Sequence, residues 1–170
     1  MTNKTVLVTG GLGYIGTHTC VELFEAGFKV IVVDNLSNSS IEALKRLKQL
    51  IKIDIPFYKI DIRDKDKLEI VFNENVIDSV IHFAGLKSLN ESIKNPIEYY
   101  NNNITGAISL AHVMKKFNCK TFVFSSSATV YGESKKMPIN EEFPVLPVNP
   151  YGRNKLIVEN YLKNNCVNGH

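Results

Sequence analysis

The stretch Thr9-Gly10-Gly11-Leu12-Gly13-Tyr14-Ile15-Gly16 limits what this chain can fold into more than any other. A β-branched apolar run, Thr5-Val6-Leu7-Val8, precedes it, and Val21, Leu23, Phe24 and Ala26 follow with the spacing of a buried helix face. Strand, glycine turn and helix together form an arrangement that binds a dinucleotide pyrophosphate. Glycines let the backbone turn sharply and approach the phosphates, and the helix N-terminus offers free N–H groups and partial positive charge. Two spacings fit: Gly11, Gly13 and Gly16 give G-x-G-x-x-G, while Gly10, Gly13 and Gly16 give G-x-x-G-x-x-G. Either match alone is weak, and an ordinary tight turn would read the same way. Asp34 supplies the context, because it closes the next apolar run, Lys29–Val33, where a carboxylate can accept the ribose hydroxyls of an adenosine.

The rest of the chain alternates strands and helices. Ile41, Leu44, Leu47 and Ile51 have helical spacing, with Ser39 or Ser40 as cap. Pro56–Ile60 reads as a strand, followed by a short helix with Leu68, Val71 and Phe72 inward. Ser79–Phe83 reads as a strand, Ile97–Phe117 as one long helix, and Thr121–Ser125 as another buried strand. A proline-rich loop from Met137 to Pro150 leads to a last helix opened by Tyr151, with Leu156, Val158, Glu159 and Leu162 along its turns, and then a polar tail. The expected fold is therefore α/β, a Rossmann-type doubly wound parallel sheet with helices on both faces, forming one domain over residues 1–170. Gly10–Gly16, Asp34, Asp61, Phe83–Lys87 and Ser125–Ser127 all fall at carboxyl ends of strands, where such sheets bind ligands.

The chemistry is carried by Tyr151-Gly152-Arg153-Asn154-Lys155, a Y-x-x-x-K that puts Tyr151 and Lys155 on one helix face. A phenol is a poor base at neutral pH until a neighbouring positive charge favours the phenolate. Ser125-Ser126-Ser127, at the end of the preceding strand, adds hydroxyls within reach of that tyrosine. Ser, Tyr and Lys behind a glycine fingerprint read as hydride and proton transfer at a carbinol carbon. His18 and His82 read as structural.

Composition narrows the classes. A net charge of +3, with the charges interspersed, gives no basic block for nucleic acid. Cys20, Cys119 and Cys166 form no metal pattern or disulfide framework, which points to a reducing cytosol, with Cys20 and Cys119 as core residues. No signal peptide, membrane span or metal site is expected.

These stretches together resemble the UDP-glucose 4-epimerase family of extended short-chain dehydrogenase/reductases. The more specific matches are Phe83-Ala84-Gly85-Leu86-Lys87 and Ser125-Ser126-Ser127-Ala128-Thr129-Val130-Tyr131-Gly132, and Asn102-Asn103 and Asn149-Pro150-Tyr151-Gly152 match as well. The resemblance implies a tightly held NAD and interconversion of UDP-galactose and UDP-glucose through a 4-keto sugar. Tyr151 would take the 4-OH proton, the C4 hydride would pass to NAD and return to the other face, Ser127 would hold the 4-oxygen, and Lys155 would hold the nicotinamide ribose. Cofactor contacts would come from Gly10, Gly13, Tyr14, Ile15 and Gly16 at the pyrophosphate, and from Asp34, Asn35, Asn38 and Ser39 around the ribose. Asp61 and Ile62 would flank the adenine. Phe83, Ala84, Gly85, Lys87, Asn102 and Ser125 would line the path, and Lys87, Ser127, Ala128, Thr129 and Tyr151 would meet substrate. Asp34 would repel a 2′-phosphate, which favours NAD over NADP. Related dehydratases carry Thr-Asp-Glu where this chain has Ser127, Ala128 and Thr129, which argues against dehydration. The resemblance also implies a cytoplasmic homodimer paired through the helices at Ile97–Phe117 and Tyr151–Asn164. It covers the cofactor part of such enzymes, so little turnover is expected of this chain alone. Another nucleotide-sugar epimerase or decarboxylase on this scaffold, and a non-catalytic NAD-binding module, are the competing readings.

Overall fold

The computed structural model describes residues 4–134 and 137–167. Five parallel strands form one sheet in the order β3-β2-β1-β4-β5: β1 (Thr5–Thr9), β2 (Lys29–Asp34), β3 (Phe57–Lys59), β4 (Ser79–His82) and β5 (Thr121–Phe124). The order reverses between β1 and β4, so the switch point lies beside the glycine turn that follows β1. Thr9 is in register with Val33 of β2 on one side and with His82 of β4 on the other.

The chain divides into two compact units. The first, residues 1–84 and 109–125, holds the whole sheet and two cores. On one sheet face, α1 (Tyr14–Glu25) and α2 (Ile41–Ile51) pack Cys20, Leu44, Leu47 and Ile51 on Val6, Val8, Val30 and Val32. On the other face, α3 (Lys65–Glu74) and the later part of α6 (Gly106–Lys116) pack Leu68, Val71, Leu110 and Val113 on Leu7, Ile31, Val33 and Val80. Successive residues of β1 and β2 therefore feed opposite cores, which is why these strands read as unbroken apolar runs. The doubly wound sheet is the expected one.

The second unit, residues 85–108 and 126–170, holds α4 (Leu89–Lys94), α5 (Pro96–Tyr99), a π-helical segment (Tyr100–Thr105), the start of α6, a 3₁₀ turn (Ala128–Tyr131) and α7 (Pro150–Val167). Within this unit α7 packs against the 3₁₀ turn, the π segment, α4 and α5.

Several sequence expectations need correction. The long helix expected at Ile97–Phe117 begins at Pro96, whose fixed φ suits a first helical position, and is interrupted by the π segment. The strand β5 is not buried: its residues alternate exposed and half-buried, with Val123 52% exposed, because β5 pairs on one side only. Ala26 does not belong to a buried face; it is the exposed C-cap of α1. The cap of α2 is Ser40, whose hydroxyl accepts from Glu42 N–H, and not Ser39. The polar tail expected from Lys163 is helical as far as Val167, and its remainder, residues 168–170, lies outside the described residues.

Candidate active site

In the first unit the glycine turn is built on close backbone approach. Gly10 has φ +68°, and a Cβ there would lie 2.5 Å from Ala84 N. At Gly16 a Cβ would lie 2.3 Å from the Gly10 carbonyl oxygen. Gly13 is the N-cap of α1 and receives no side-chain cap, so first-turn amides remain for an anion. Tyr14 and Ile15 follow, both exposed.

Asp34 is buried at the end of β2 and already engaged. One carboxylate oxygen accepts from Leu12 N–H (3.1 Å); the other accepts from Leu36 N–H (2.9 Å) and the Ser39 hydroxyl (2.7 Å). The residue expected at the ribose thus ties the glycine turn to the loop after β2. Asn35 donates to Asp61, and Asn38 is exposed. The Arg63 guanidinium grips Asp61 through two bonds and holds its carboxyl well down, at about 2. Ile62 is spent on the core, so only its backbone is left for a ligand. Phe83 packs on the α1–α2 core, and Ala84 N–H donates to the Thr9 carbonyl. Ser125 N–H donates to the His82 carbonyl. His82 is a core residue, its Nδ1 2.6 Å from the Thr9 hydroxyl. Cys20 and Cys119 are buried free thiols, pushed by burial to about 12 and about 11.

In the second unit, Ser127 caps the 3₁₀ turn. Its hydroxyl oxygen accepts from Thr129 N–H (3.2 Å) and from the Thr129 hydroxyl (2.9 Å). A serine hydroxyl has two acceptor sites and one donor, so this leaves Ser127 its proton to donate. Thr129, expected at substrate, spends its hydroxyl on Ser127, while Ala128 is exposed. Asn149 caps α7: its side chain accepts from Gly152 N–H at 2.8 Å.

Tyr151 and Lys155 come together as the helical spacing requires, with the Lys155 ammonium 5.7 Å from the centre of the Tyr151 ring. One turn further, Glu159 accepts from the Ser126 hydroxyl. Sequence reasoning gave Glu159 no role, although its i+4 spacing from Lys155 was there to be seen. Gly85, Lys87 and Asn102 also belong to this unit; Lys87 is exposed, and the Asn102 carbonyl accepts from Gly106 N–H. Asn154 is fully buried and neither atom of its side-chain amide has a hydrogen-bond partner among the described residues.

Burial pushes the Lys155 ammonium down from 10.5 to about 8, with Glu159 working the other way. Between those values the unfolded chain holds a proton that the folded chain has released, so folding gains as pH rises. The gain is complete above about 10.5 and is lost as pH falls through about 8. The interval corresponds to about 3 kcal/mol. Urea unfolding of the wild type and Lys155→Met across this range should show the difference in stability moving toward the wild type by that order. A difference that stays flat would contradict the assignment.

Comparison with known proteins fits this geometry. Residues 7–166 match the model of the GDP-mannose 4,6 dehydratase family. A UDP-glucose 4-epimerase of Bacillus subtilis is 52% identical over 158 residues, which is 93% of this chain and 47% of that protein. UDP-glucose 4-epimerase GEPI48 of Cyamopsis tetragonoloba is 54% identical over 162 residues, 94% of this chain and 46% of the relative. The crystal structure of the Bifidobacterium longum UDP-glucose 4-epimerase in complex with NAD+ and UDP superposes with TM-score 0.94 at 52% identity, covering 96% of this chain and 49% of that one. The Stenotrophomonas maltophila enzyme, with bound NAD and formylated UDP-arabinopyranose, gives TM-score 0.96 at 42% identity, covering 99% and 50%. The chain spans about half the length of the relatives it matches. It belongs to the GDP-mannose 4,6 dehydratase family, and the relatives it resembles there are UDP-glucose 4-epimerases.

Proposed function

We propose that this chain supplies the NAD-binding and proton-transfer residues of a UDP-glucose 4-epimerase. The observation that carries the reading is the pairing, in one unit, of a Ser127 hydroxyl left free to donate with the Tyr151–Lys155 pair. The first unit fits a phosphate-bearing cofactor: its uncapped helix N-terminus follows a turn with no room for side chains at Gly10 and Gly16.

The turn from Gly10 to Gly16 would hold the pyrophosphate, and Asp34, Asn35, Asn38 and Ser39 the adenosine ribose. The backbone beside Asp61 and Ile62 would meet the adenine, while Phe83, Ala84, Gly85, Lys87, Asn102 and Ser125 would line the remaining path. NAD, when bound, supplies the two-electron acceptor and donor for C4 of the sugar. Tyr151 takes the proton of the sugar 4-hydroxyl, with the Lys155 ammonium beside its ring. Ser127 donates to the 4-oxygen, and Thr129 keeps that donor aimed by occupying the acceptor side of the serine. No carboxylate stands at Ser127, Ala128 or Thr129, which supports epimerisation over dehydration. Pairing of two copies through the helical stretches Ile97–Phe117 and Tyr151–Asn164 is part of the proposal, supported by the exposed apolar side chains Ile97, Tyr100 and Ile157. The buried free thiols support a cytoplasmic setting.

Calorimetric titration with NAD and NADP tests the reading. The wild type should bind NAD in preference to NADP. Tyr151→Phe should bind NAD about as well, since the phenol serves chemistry, and Asp34→Asn should bind about tenfold more weakly with less discrimination. A well-folded wild type that binds neither nucleotide would defeat the proposal. Turnover of UDP-galactose that survives Tyr151→Phe would remove the base from the mechanism.

A further inference from the structure

Ser127 sits on a short segment that α7 holds at both ends. At one end, the Ser126 hydroxyl donates to the carboxylate of Glu159, a residue 33 positions later in the chain. At the other end, a Cβ at Gly152 would lie 2.8 Å from the Thr129 carbonyl oxygen, so α7 and the 3₁₀ turn meet there backbone to backbone. Between these points Ser127 caps the turn. Its hydroxyl accepts from the N–H and the hydroxyl of Thr129, and its carbonyl accepts from Val130 N–H at 3.1 Å. All of these residues belong to the second unit.

Glu159 also has a neighbour on its own helix. Tyr151, Lys155 and Glu159 follow one another at i, i+4 spacing along α7. Glu159 is the acidic group that acts on the buried Lys155 ammonium, and it opposes the effect of burial. Of the other acidic groups on the helices packed against α7, Glu91 of α4 is engaged with Tyr99, and Glu98 of α5 is exposed. A glutamate on a solvated helix face would make neither contact. Glu159 is half-buried and makes both, so one side chain bears on the segment of Ser127 and on the partner of Tyr151. Fixing such groups before a ligand arrives removes an ordering cost that a free loop would carry into the reaction.

We infer that Glu159 is a positioning residue for the proposed proton transfer: through Ser126 it fixes the segment of Ser127 on α7, and along the helix it sets a carboxylate next to Lys155. The inference rests on the proton-transfer reading above. Glu159 acts through Ser126 and Lys155 and touches no reacting atom.

Three variants of the full chain separate the two contacts. Ser126→Ala removes the bond and keeps the charge; Glu159→Gln removes the charge and keeps an acceptor for Ser126; Ser126→Thr keeps both. Amide exchange at Thr129 and Val130 should quicken by about tenfold in Ser126→Ala, relative to the rest of the unit, and by less than about twofold in the other two. The side-chain resonance of Lys155, assigned by its loss in Lys155→Met, should titrate below the wild type's value of about 8 in Glu159→Gln and stay in place in Ser126→Ala. A merely structural role would quicken exchange throughout the unit and leave the lysine midpoint where it is. Should Ser126→Ala not fold, Glu159→Ala takes its place and should show both effects. Unchanged exchange at Thr129 and Val130 once the bond is gone, or a lysine midpoint indifferent to Glu159→Gln, would overturn the inference and leave the function proposal standing. A folded wild type that binds no NAD would overturn the function proposal, and with it the purpose given to Glu159.

Discussion

Gly16→Ala is expected to yield no stable native chain, whereas Gly13→Ala, three residues away, should fold. A methyl group at Gly16 would lie 2.3 Å from the Gly10 carbonyl oxygen and 2.7 Å from Gly11 Cα, and both neighbours are backbone that cannot turn aside. Relief requires pulling α1 off the end of β1, where Leu12 and Cys20 enter the core. Gly10→Ala is as severe, because φ +68° costs an L-residue about 1–2 kcal/mol before its clash with Ala84 is counted. Losses above about 4 kcal/mol are expected at either position, against total stabilities of about 5–15 kcal/mol. At Gly13 the nearest atom to a new Cβ is the Gly10 carbonyl oxygen at 3.3 Å, and φ is −71°, which any residue adopts. Gly13→Ala should therefore keep its circular dichroism spectrum and lie within about 1 kcal/mol of wild type in urea. If a ligand phosphate lies against this turn, the same variant should lose NAD affinity by about tenfold or more. An unfolded Gly13→Ala, or a stable Gly16→Ala, would show that the steric account of the turn is mistaken.

Asp34→Ala should cost both stability and cofactor binding, and the first loss should be visible without any ligand. Its carboxylate receives three hydrogen bonds, from Leu12 N–H, Leu36 N–H and the Ser39 hydroxyl. Hydrogen bonds to a charged group are worth about 1.5–3 kcal/mol each, and the truncation would leave the buried Leu12 amide unpaired. A loss of about 3–5 kcal/mol is expected in urea unfolding. Asp34→Asn keeps an acceptor for part of this set and should lose about half as much, so it is the better probe of ribose contacts. Equal stability of Asp34→Ala and wild type would mean that these bonds add nothing to the fold. Loss of NAD binding in the alanine variant alone would say little about the ribose, because the glycine turn loses its tie at the same time.

The contrast between what the sequence disclosed and what it hid follows from the range of the interactions. The glycine turn, the acidic end of β2 and the Tyr151–Lys155 pair are local patterns, each set by residues within one turn of chain. The reading of β5 as buried failed because the apolar run Phe122-Val123-Phe124 cannot say whether a strand has one neighbour or two; the sheet order decides that. The bonds of Asp34 to Leu12 and of Asn103 to Leu86 join positions 22 and 17 residues apart, and no periodicity marks them. The run Asn101-Asn102-Asn103 offered no physical reason to prefer one asparagine, and resemblance favoured Asn102. The structure gives the buried, doubly bonded place to Asn103, while Asn102 is half-buried. Nothing in the structure explains why Asn154 buries an amide with no partner among the described residues, an arrangement that costs about 1–3 kcal/mol.

The π-helical segment sets a phase between Tyr99 and Asn103. An α-helix turns about 100° per residue, and a π turn accommodates one residue more than the α ladder would hold. Tyr99, at the end of α5, faces Ser88 and Glu91, while Asn103, inside the segment, faces Leu86. Removing Asn101 or Asn102 would turn one of these side chains by about 100° relative to the other and detach it from its partner. The number of residues between Tyr99 and Asn103 is thus as strongly fixed as their identity, and here a deletion would do more damage than a substitution.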